Sequence, residues 1–488
     1  MRTANSILKN TIYKILLEIL KIIIPIITVP YIYRIFKPEI MGNIEFSQSI
    51  ADYFAIFAGF GVYTYGLREI SYIKNNQKER DKIFSELFLI STVSSIIVSL
   101  VYCFYIKFYI VDLILKKLLL INLVNLLSYI FYIEWINEAF ENYKFISIKT
   151  SVIKIINFVC IFLFIKEESD FYKYLFLICF FAFLNNIVSF IYIKKYIKIT
   201  LKKIEIKKYL IPLGTILLMS NAGILYTQLD KIFLGFYSKN LEEIAYYGIA
   251  QKLLSIVTIL STAATTVSIP RLSFYLGEGK KEEYEKLYDK LLSYMYLLLF
   301  PMGIGIMILS QEIAILFGGK EYLAAAPVIF MFGIRFIVGT VQGSISRQVL
   351  FINRKENVVT YTFLICGIFN LIFKYILFKI DLLNASTAIF TTMIAEIIIT
   401  ILSYVYIKRY MNLKLNIFGM NNLKYLIFSF GFFIIYKIFR NLIENNILFC
   451  IVIVLICSFV YFSLLFFIKD KIILESLEDI KSKIKVRK

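Results

Sequence analysis

Charged side chains recur inside long apolar runs of this sequence, at the spacing of one helical face. In the first run Glu18 and Lys21 lie within two turns of Pro25 and share a face with it at 100° per residue. An ionisable group at the centre of a membrane helix costs about 2.5–3.5 kcal/mol. If the runs cross a membrane, such residues are expected to face a water-filled site and not lipid.

Cations dominate these polar stripes, which favours an anionic ligand, with phosphate as the expected class. Six of them at membrane depth outnumber Asp52 and Glu396, so we expect a water-filled, net cationic cavity between two halves of the chain. The residues predicted to line it and to contact substrate are Lys21, Arg68, Lys154, Gln228, Lys231, Lys252, Arg271, Arg335, Gln342 and Lys374.

Two structural alternatives to the cavity stay open. The Ser, Thr and Gly members of the stripes also suit interhelical hydrogen-bonding seams. Cations near the ends of the runs can snorkel to the membrane interface, and Arg34, Arg68 and Arg271 are candidates for such anchors.

The carboxylates within or near the runs are candidates for ion coupling by H⁺ or Na⁺. They are Glu18, Glu45, Asp52, Asp230 and Glu396. Pro25 and Pro30 each remove a backbone donor from the first run, which predicts a bent, gate-forming helix.

Several kinds of chemistry are not encoded. Histidine is absent, and the six cysteines are dispersed without metal-ligand spacing, so we predict no metal site and no cofactor. No phosphate-binding glycine loop appears, which excludes nucleotide hydrolysis. The net charge of +20 resides mainly in short loops, which favours membrane orientation and argues against nucleic-acid binding.

The elements that must position these residues are membrane helices. The chain of 488 residues is 59% hydrophobic, with a mean hydropathy of +0.76. Apolar runs of about 20 residues predict fourteen transmembrane helices between residues 12 and 468, and an all-α polytopic fold. Basic residues concentrate in alternate loops and in the tail, so both termini are predicted to be cytoplasmic.

An internal repeat organises the predicted helices. The stretches "KPEIMGNIEFSQSI" and "KNLEEIAYYGIAQKL" occupy corresponding places in the two halves, and Arg68 and Arg271 follow them in the same order. We therefore predict two parallel six-helix lobes. Residues 1–208 form the N-terminal lobe with its basic cytoplasmic linker, 209–410 the C-terminal lobe, and 411–488 two further helices and a basic cytoplasmic tail.

The opening stretch "PIITVPYIYRIFKPEIMGNIEFSQSI", then "GVYTYGLREI", "QLDKIFLGFYSKNLEEIAYYGIAQKL", "SIPRLS" and "LFGGKEYLAAAPVIFMF", resembles bacterial oligosaccharide flippases. These belong to the multidrug/oligosaccharidyl-lipid/polysaccharide (MOP) exporter superfamily and include O-antigen and capsule-repeat translocases. The positions that match best are Arg34, Arg68, Asp230 with Lys231, and Arg271.

The resemblance implies two MATE-like lobes that work by alternating access in the bacterial inner membrane. It implies that an undecaprenyl-diphosphate-linked oligosaccharide moves from the cytoplasmic to the periplasmic leaflet. Membrane lipids, a polysaccharide polymerase and glycosyltransferases are the expected partners. The function is therefore expected to be transport and not catalysis.

Two rival functions are carried forward. A drug or small-cation exporter of the same superfamily would favour an acidic, aromatic-lined cavity. A membrane glycosyltransferase or polysaccharide polymerase would need a large outer loop or an acidic motif, and no predicted loop exceeds about 18 residues.

Overall fold

The structure, a computed structural model, describes residues 4–73, 76–200, 204–475 and 478. These residues form α-helices joined by short turns, with no strand among them, which confirms the all-α prediction. The predicted basic tail lies beyond residue 478, outside the described residues.

The first half of the chain contains nine helices among its described residues. They are α1 (Ala4–Ile35), α2 (Pro38–Gly59), α3 (Val62–Tyr72), α4 (Gln77–Tyr109), α5 (Leu113–Ser128), α6 (Glu134–Ala139), α7 (Tyr143–Phe164), α8 (Phe171–Ile193) and α9 (Lys207–Tyr237).

The second half has the same number of α-helices over its described part. They are α10 (Glu242–Gly277), α11 (Lys281–Ile308), α12 (Ser310–Gly318), α13 (Ala326–Ser344), α14 (Glu356–Lys379), α15 (Ala385–Tyr406), α16 (Met420–Ser429), α17 (Gly431–Phe439) and α18 (Asn446–Phe467). π-helical turns at Ile345–Phe351 and Ile407–Met411 extend α13 and α15.

Eleven helical segments of the described chain are long and apolar enough to cross a membrane. The other three predicted spans coincide with α2, α9 and α10, which are 22, 31 and 36 residues long. Length is sufficient there at about 1.5 Å per residue, but these helices carry many of the polar stripes. Fourteen spans therefore stays a prediction.

Two local features refine the predicted helices. α1 continues through Pro25 and Pro30 without losing its helical assignment, so the bend stays a prediction. The second predicted span, by contrast, breaks at Gly61, whose φ of +71° favours glycine. A Cβ there would lie 2.7 Å from the Leu213 carbonyl oxygen, so close packing on α9 also requires glycine.

Helix boundaries follow the predicted repeat. Three pairs of helix boundaries share one offset to within two residues: the ends Ile35 and Tyr237, and the starts Pro38 and Glu242, Gln77 and Lys281. The next three pairs share a larger offset, to within a residue: Leu113 and Ala326, Tyr143 and Glu356, Phe171 and Ala385. The increase corresponds to the nine-residue helix α12, which lies between the third and fourth pairs.

The contacts divide the chain into unit 1 (Met1–Ala245) and unit 2 (Tyr246–Lys488). In unit 1 the helix α9 packs against α2 and α3, and α1 packs against α7. In unit 2 the helix α15 packs against α13 and α14, and α16 packs against α11. The lobe boundary predicted at 208/209 stays a prediction, while contacts group α9 with unit 1.

Candidate functional site

The first polar group of unit 1 joins α1 and α7. Lys21 Nζ donates a hydrogen bond to Glu18 Oε1 at 2.8 Å, and both side chains are 40% exposed. Lys154 on α7 lies within electrostatic reach of both, and it has no hydrogen bond or ion pair to a described residue. Two lysines therefore share one carboxylate, which leaves the group with one net positive charge.

The second group of unit 1 joins α1, α2 and α9 around a buried carboxylate. Lys231 Nζ donates to Glu45 Oε2 at 2.5 Å, and Tyr33 Oη donates to Glu45 Oε1 at 3.0 Å. Asp52, two turns along α2, lies within electrostatic reach of both charged partners. Counted over Glu45, Asp52 and Lys231 alone, the formal charge of this group is negative.

The polar group of unit 2 lies on α13, α14 and α15. Arg335 contacts both oxygens of Glu396 at 2.7–3.1 Å, a two-pronged geometry that fixes direction as well as charge. One turn away on α15, Thr392 accepts hydrogen bonds from Lys374 Nζ (3.1 Å) and Asn370 Nδ2 (3.2 Å). The formal charge of this group is again positive.

Other predicted cavity residues lie outside these three groups. Arg68 is half exposed and pairs with its neighbour Glu69 at 3.0 Å, and Arg271 is exposed. Gln342 donates to Ser346 on its own helix at 2.9 Å. Exposure is compatible with a water-filled cavity and with the interface-anchor alternative, so the roles of both arginines stay predictions.

Three further candidates can be placed by helix. Asp230 is fully buried on α9 next to Lys231, and Gln228 is half-buried on the same helix. Lys252 is half-buried on α10, in unit 2.

The number of carboxylates that the sequence argument set against the six membrane-depth cations needs correction. Lys21, Lys231 and Arg335 each form an ion pair with a glutamate. The sequence argument set the cations against Asp52 and Glu396 alone, and so left out Glu18 and Glu45. Glu18 lies one helical turn from Lys21. Glu45 is far from Lys231 in the sequence and reaches it because α2 packs against α9.

Sequence reasoning also missed a buried network in unit 1. Lys149 is buried in α7, with a side chain only 3% exposed. Its Nζ contacts both oxygens of Glu134 at 3.0 and 3.1 Å and the Ser189 hydroxyl at 2.6 Å. Glu134 lies on α6 and Lys149 on α7, so the residue pattern within a single helix gave no signal for this pairing.

Comparison with known proteins agrees with this architecture. The family described as "Polysaccharide biosynthesis protein" matches residues 7–276, and the MatE family matches residues 215–376. A Shigella dysenteriae protein named "Putative O-antigen transporter" is 22% identical over 377 residues, which cover 75% of this chain and 92% of that protein.

Solved transporters share the fold. An inward-facing multidrug resistance MATE family transporter of the MOP superfamily superposes with a TM-score of 0.58 at 14% identity, covering 77% of this chain and 91% of its own. A MATE protein in complex with MaL6 gives 0.55 at 15% identity, covering 83% and 96%. At this identity the likeness concerns the fold alone.

Fold and matches together define the class: a multi-pass, all-helical membrane transporter with the MATE-like fold of the MOP superfamily. The chain belongs to the polysaccharide biosynthesis protein family, whose match covers more than half of its length. The relationship predicted from the opening stretch and the later motifs is thereby confirmed.

Proposed function

We propose that the protein is a flippase that moves an undecaprenyl-diphosphate-linked oligosaccharide from the cytoplasmic to the periplasmic leaflet by alternating access. It would act in O-antigen or capsule biosynthesis, in the bacterial inner membrane, with both termini cytoplasmic. Family membership and the O-antigen transporter relative support this substrate class. A polymerase and glycosyltransferases are the proposed protein partners.

The observation that carries the proposal is the group of Lys21 and Lys154 around Glu18. Within the described part of the chain, Lys21 forms an ion pair with Glu18, while the second ammonium group, on Lys154, forms no ion pair of its own. A diphosphate supplies the missing negative charge, and a charge-assisted hydrogen bond to it is roughly twice as strong as a neutral one. The lysines would hold the head group while the lipid tail stays in the bilayer.

Alanine variants at Lys21 and Lys154, single and combined, test this proposal in a strain that lacks the native gene. We expect surface polysaccharide to fall in each single variant and to be lost in the double variant, at equal protein level in the membrane. Lys320→Ala, at an exposed lysine, is the matched control. Full export by the double variant would show that Lys21 and Lys154 are not needed to bind the diphosphate.

The second candidate is a drug or small-cation exporter of the same superfamily. The net negative group of Glu45, Asp52 and Lys231 favours it, because a cation is attracted where two carboxylates share one lysine. Binding of organic cations to purified protein, without any effect on glycan export, would select this function. Formation of new glycosidic bonds by purified protein would select the polymerase or glycosyltransferase alternative.

Ion coupling by H⁺ or Na⁺ remains part of the proposal. Glu18, Glu45 and Glu396 are each engaged by a cation, so proton or sodium binding there would have to displace a lysine or arginine. Asp52 and Asp230 complete the candidate set. Transport in vesicles that persists unchanged after both gradients are collapsed would exclude coupling.

A further inference from the structure

The linker after α8 is attached to α4 through its own backbone. The Lys198 amide donates to Asp81 Oδ1 at 3.3 Å, and the Thr200 amide donates to Ser85 Oγ at 2.8 Å. Both acceptors lie on one face of α4, one turn apart. Side chains of α4 thus accept hydrogen bonds from linker amides that would otherwise need water as their acceptor.

Farther along the chain, a buried carboxylate fastens the start of α9. Glu86, fully buried on α4, accepts from the Glu205 amide at 2.9 Å and from Tyr209 Oη at 2.6 Å. Lys208 lies 3.6 Å from the same carboxylate. Glu86 therefore receives both polar side chains of the Lys-Tyr pair that opens α9.

The same attachment recurs in unit 2. The Lys414 amide donates to Glu285 Oε1 at 2.8 Å, and the Asn416 amide donates to Asp289 Oδ1 at 3.0 Å. The two acceptors on α11 have the spacing of their counterparts on α4, and the two donors have the spacing of their counterparts after α8. Four partners in matching register are difficult to obtain without a repeated unit.

The Lys-Tyr pair recurs as well. Lys424 and Tyr425 lie near the start of α16, within the sequence "KYLI" that also contains Lys208 and Tyr209 in α9. The distance along the chain from the linker donors to this pair is the same in both units. Tyr425 Oη donates to Asp470 Oδ2 at 3.2 Å, and Lys424 forms an ion pair with that carboxylate, whose side chain is fully buried. Asp470 therefore contacts a lysine and a tyrosine as Glu86 does, but it lies in the segment after α18.

The difference has a simple origin in the sequence. The register that aligns the acceptors of α11 with those of α4 places Lys290 where unit 1 has Glu86. A lysine cannot accept from Tyr425, and Lys290 pairs instead with Glu475 at 2.6 Å. The segment that contains Asp470 and Glu475 thus supplies the carboxylates that α11 lacks.

We propose that the chain from Asn412 onward is a partial third copy of the repeat, attached to α11 by the same polar contacts that attach the linker and the start of α9 to α4. The last two predicted spans are then a structural part of unit 2, and Asp470 takes the place of Glu86. Removal of the segment after α18 would leave the buried Tyr425 and the partly exposed Lys424 without their acceptor, which is costly for a buried polar group.

Relocation of the carboxylate tests this assignment independently of transport. Asp470→Asn lowers the apparent unfolding midpoint of the full chain in detergent, as does Glu86→Gln in unit 1. The triple variant Lys290→Glu, Asp470→Asn, Glu475→Gln recovers most of the loss, because position 290 is the repeat equivalent of Glu86. The matched control carries Lys290→Gln with the same two tail substitutions and stays destabilised.

Each result decides the matter. Recovery in the triple variant with Lys290→Glu, but not in the Lys290→Gln control, confirms the third copy. Equal midpoints for the two triple variants, or no loss in Asp470→Asn, would overturn it. Because the readout is stability, the result is independent of whether the proposed substrate is correct.

Discussion

Neutralising one member of the Glu45–Lys231 pair should destabilise unit 1 strongly. Both side chains are buried, the two charged atoms lie 2.5 Å apart, and Tyr33 gives the carboxylate a second donor. Removing one partner of a buried ion pair costs about 3–5 kcal/mol, since the other charge stays buried. Glu45→Gln keeps the shape and one of the two acceptor oxygens, so we expect a loss near the lower limit, about 3 kcal/mol.

The double variant separates charge from packing. Lys231→Met with Glu45→Gln removes both charges at nearly constant volume, and such replacements are often close to neutral. We therefore expect a coupling of at least about 2 kcal/mol between the two sites. Denaturant titration of the purified protein in detergent measures it.

An exposed pair provides the control. Glu282 and Lys286 on α11 lie 3.9 Å apart with side chains 85% and 79% exposed. Breaking that pair should cost about 0–1 kcal/mol. If Glu45→Gln and Lys231→Met cost no more than this control, the pair is not a buried structural element and the reasoning fails.

Three further substitutions test the described contacts by the same titration. Arg335→Lys keeps the charge but loses the fork on Glu396, so we expect a loss of about 1.5–3 kcal/mol; stability equal to wild type would contradict the two-pronged contact. Gly42→Ala places a Cβ 2.1 Å from the Leu241 carbonyl oxygen and should cost about 1–3 kcal/mol, whereas a neutral result would show that this backbone can retreat. Lys149→Met leaves the largely buried Glu134 carboxylate without its ammonium partner and should cost about 3 kcal/mol; the loss should largely vanish when Glu134→Gln is added, and its persistence would refute the pairing.

The fold was largely predictable from the sequence, because a membrane helix is encoded by a continuous apolar run that can be recognised locally. Apolar runs and charge asymmetry predicted the helices, and the repeated order of motifs predicted a constant offset between the two halves. After α12 the offset between corresponding helices of the two halves increases by about the length of α12. The sequence motifs that were compared lie before α12, so they did not reveal this increase. The break at Gly61, where the backbone packs closely against α9, was missed.

The candidate site was only partly accessible. Helical periodicity placed Glu18 and Lys21 on one face, and they do form an ion pair. Pairings across helices, such as Lys231 with Glu45 or Lys149 with Glu134, depend on tertiary contacts that periodicity within one helix does not encode.

Transport by purified protein in liposomes tests the central claim most directly. The substrate is an undecaprenyl-diphosphate-linked oligosaccharide placed in the inner leaflet, and a membrane-impermeant enzyme outside modifies only head groups that have crossed. We predict rapid modification with wild-type protein and a rate close to that of empty liposomes with the Lys21→Ala, Lys154→Ala double variant. A wild-type rate no greater than that of empty liposomes, with folded protein present in both orientations, would contradict the claim.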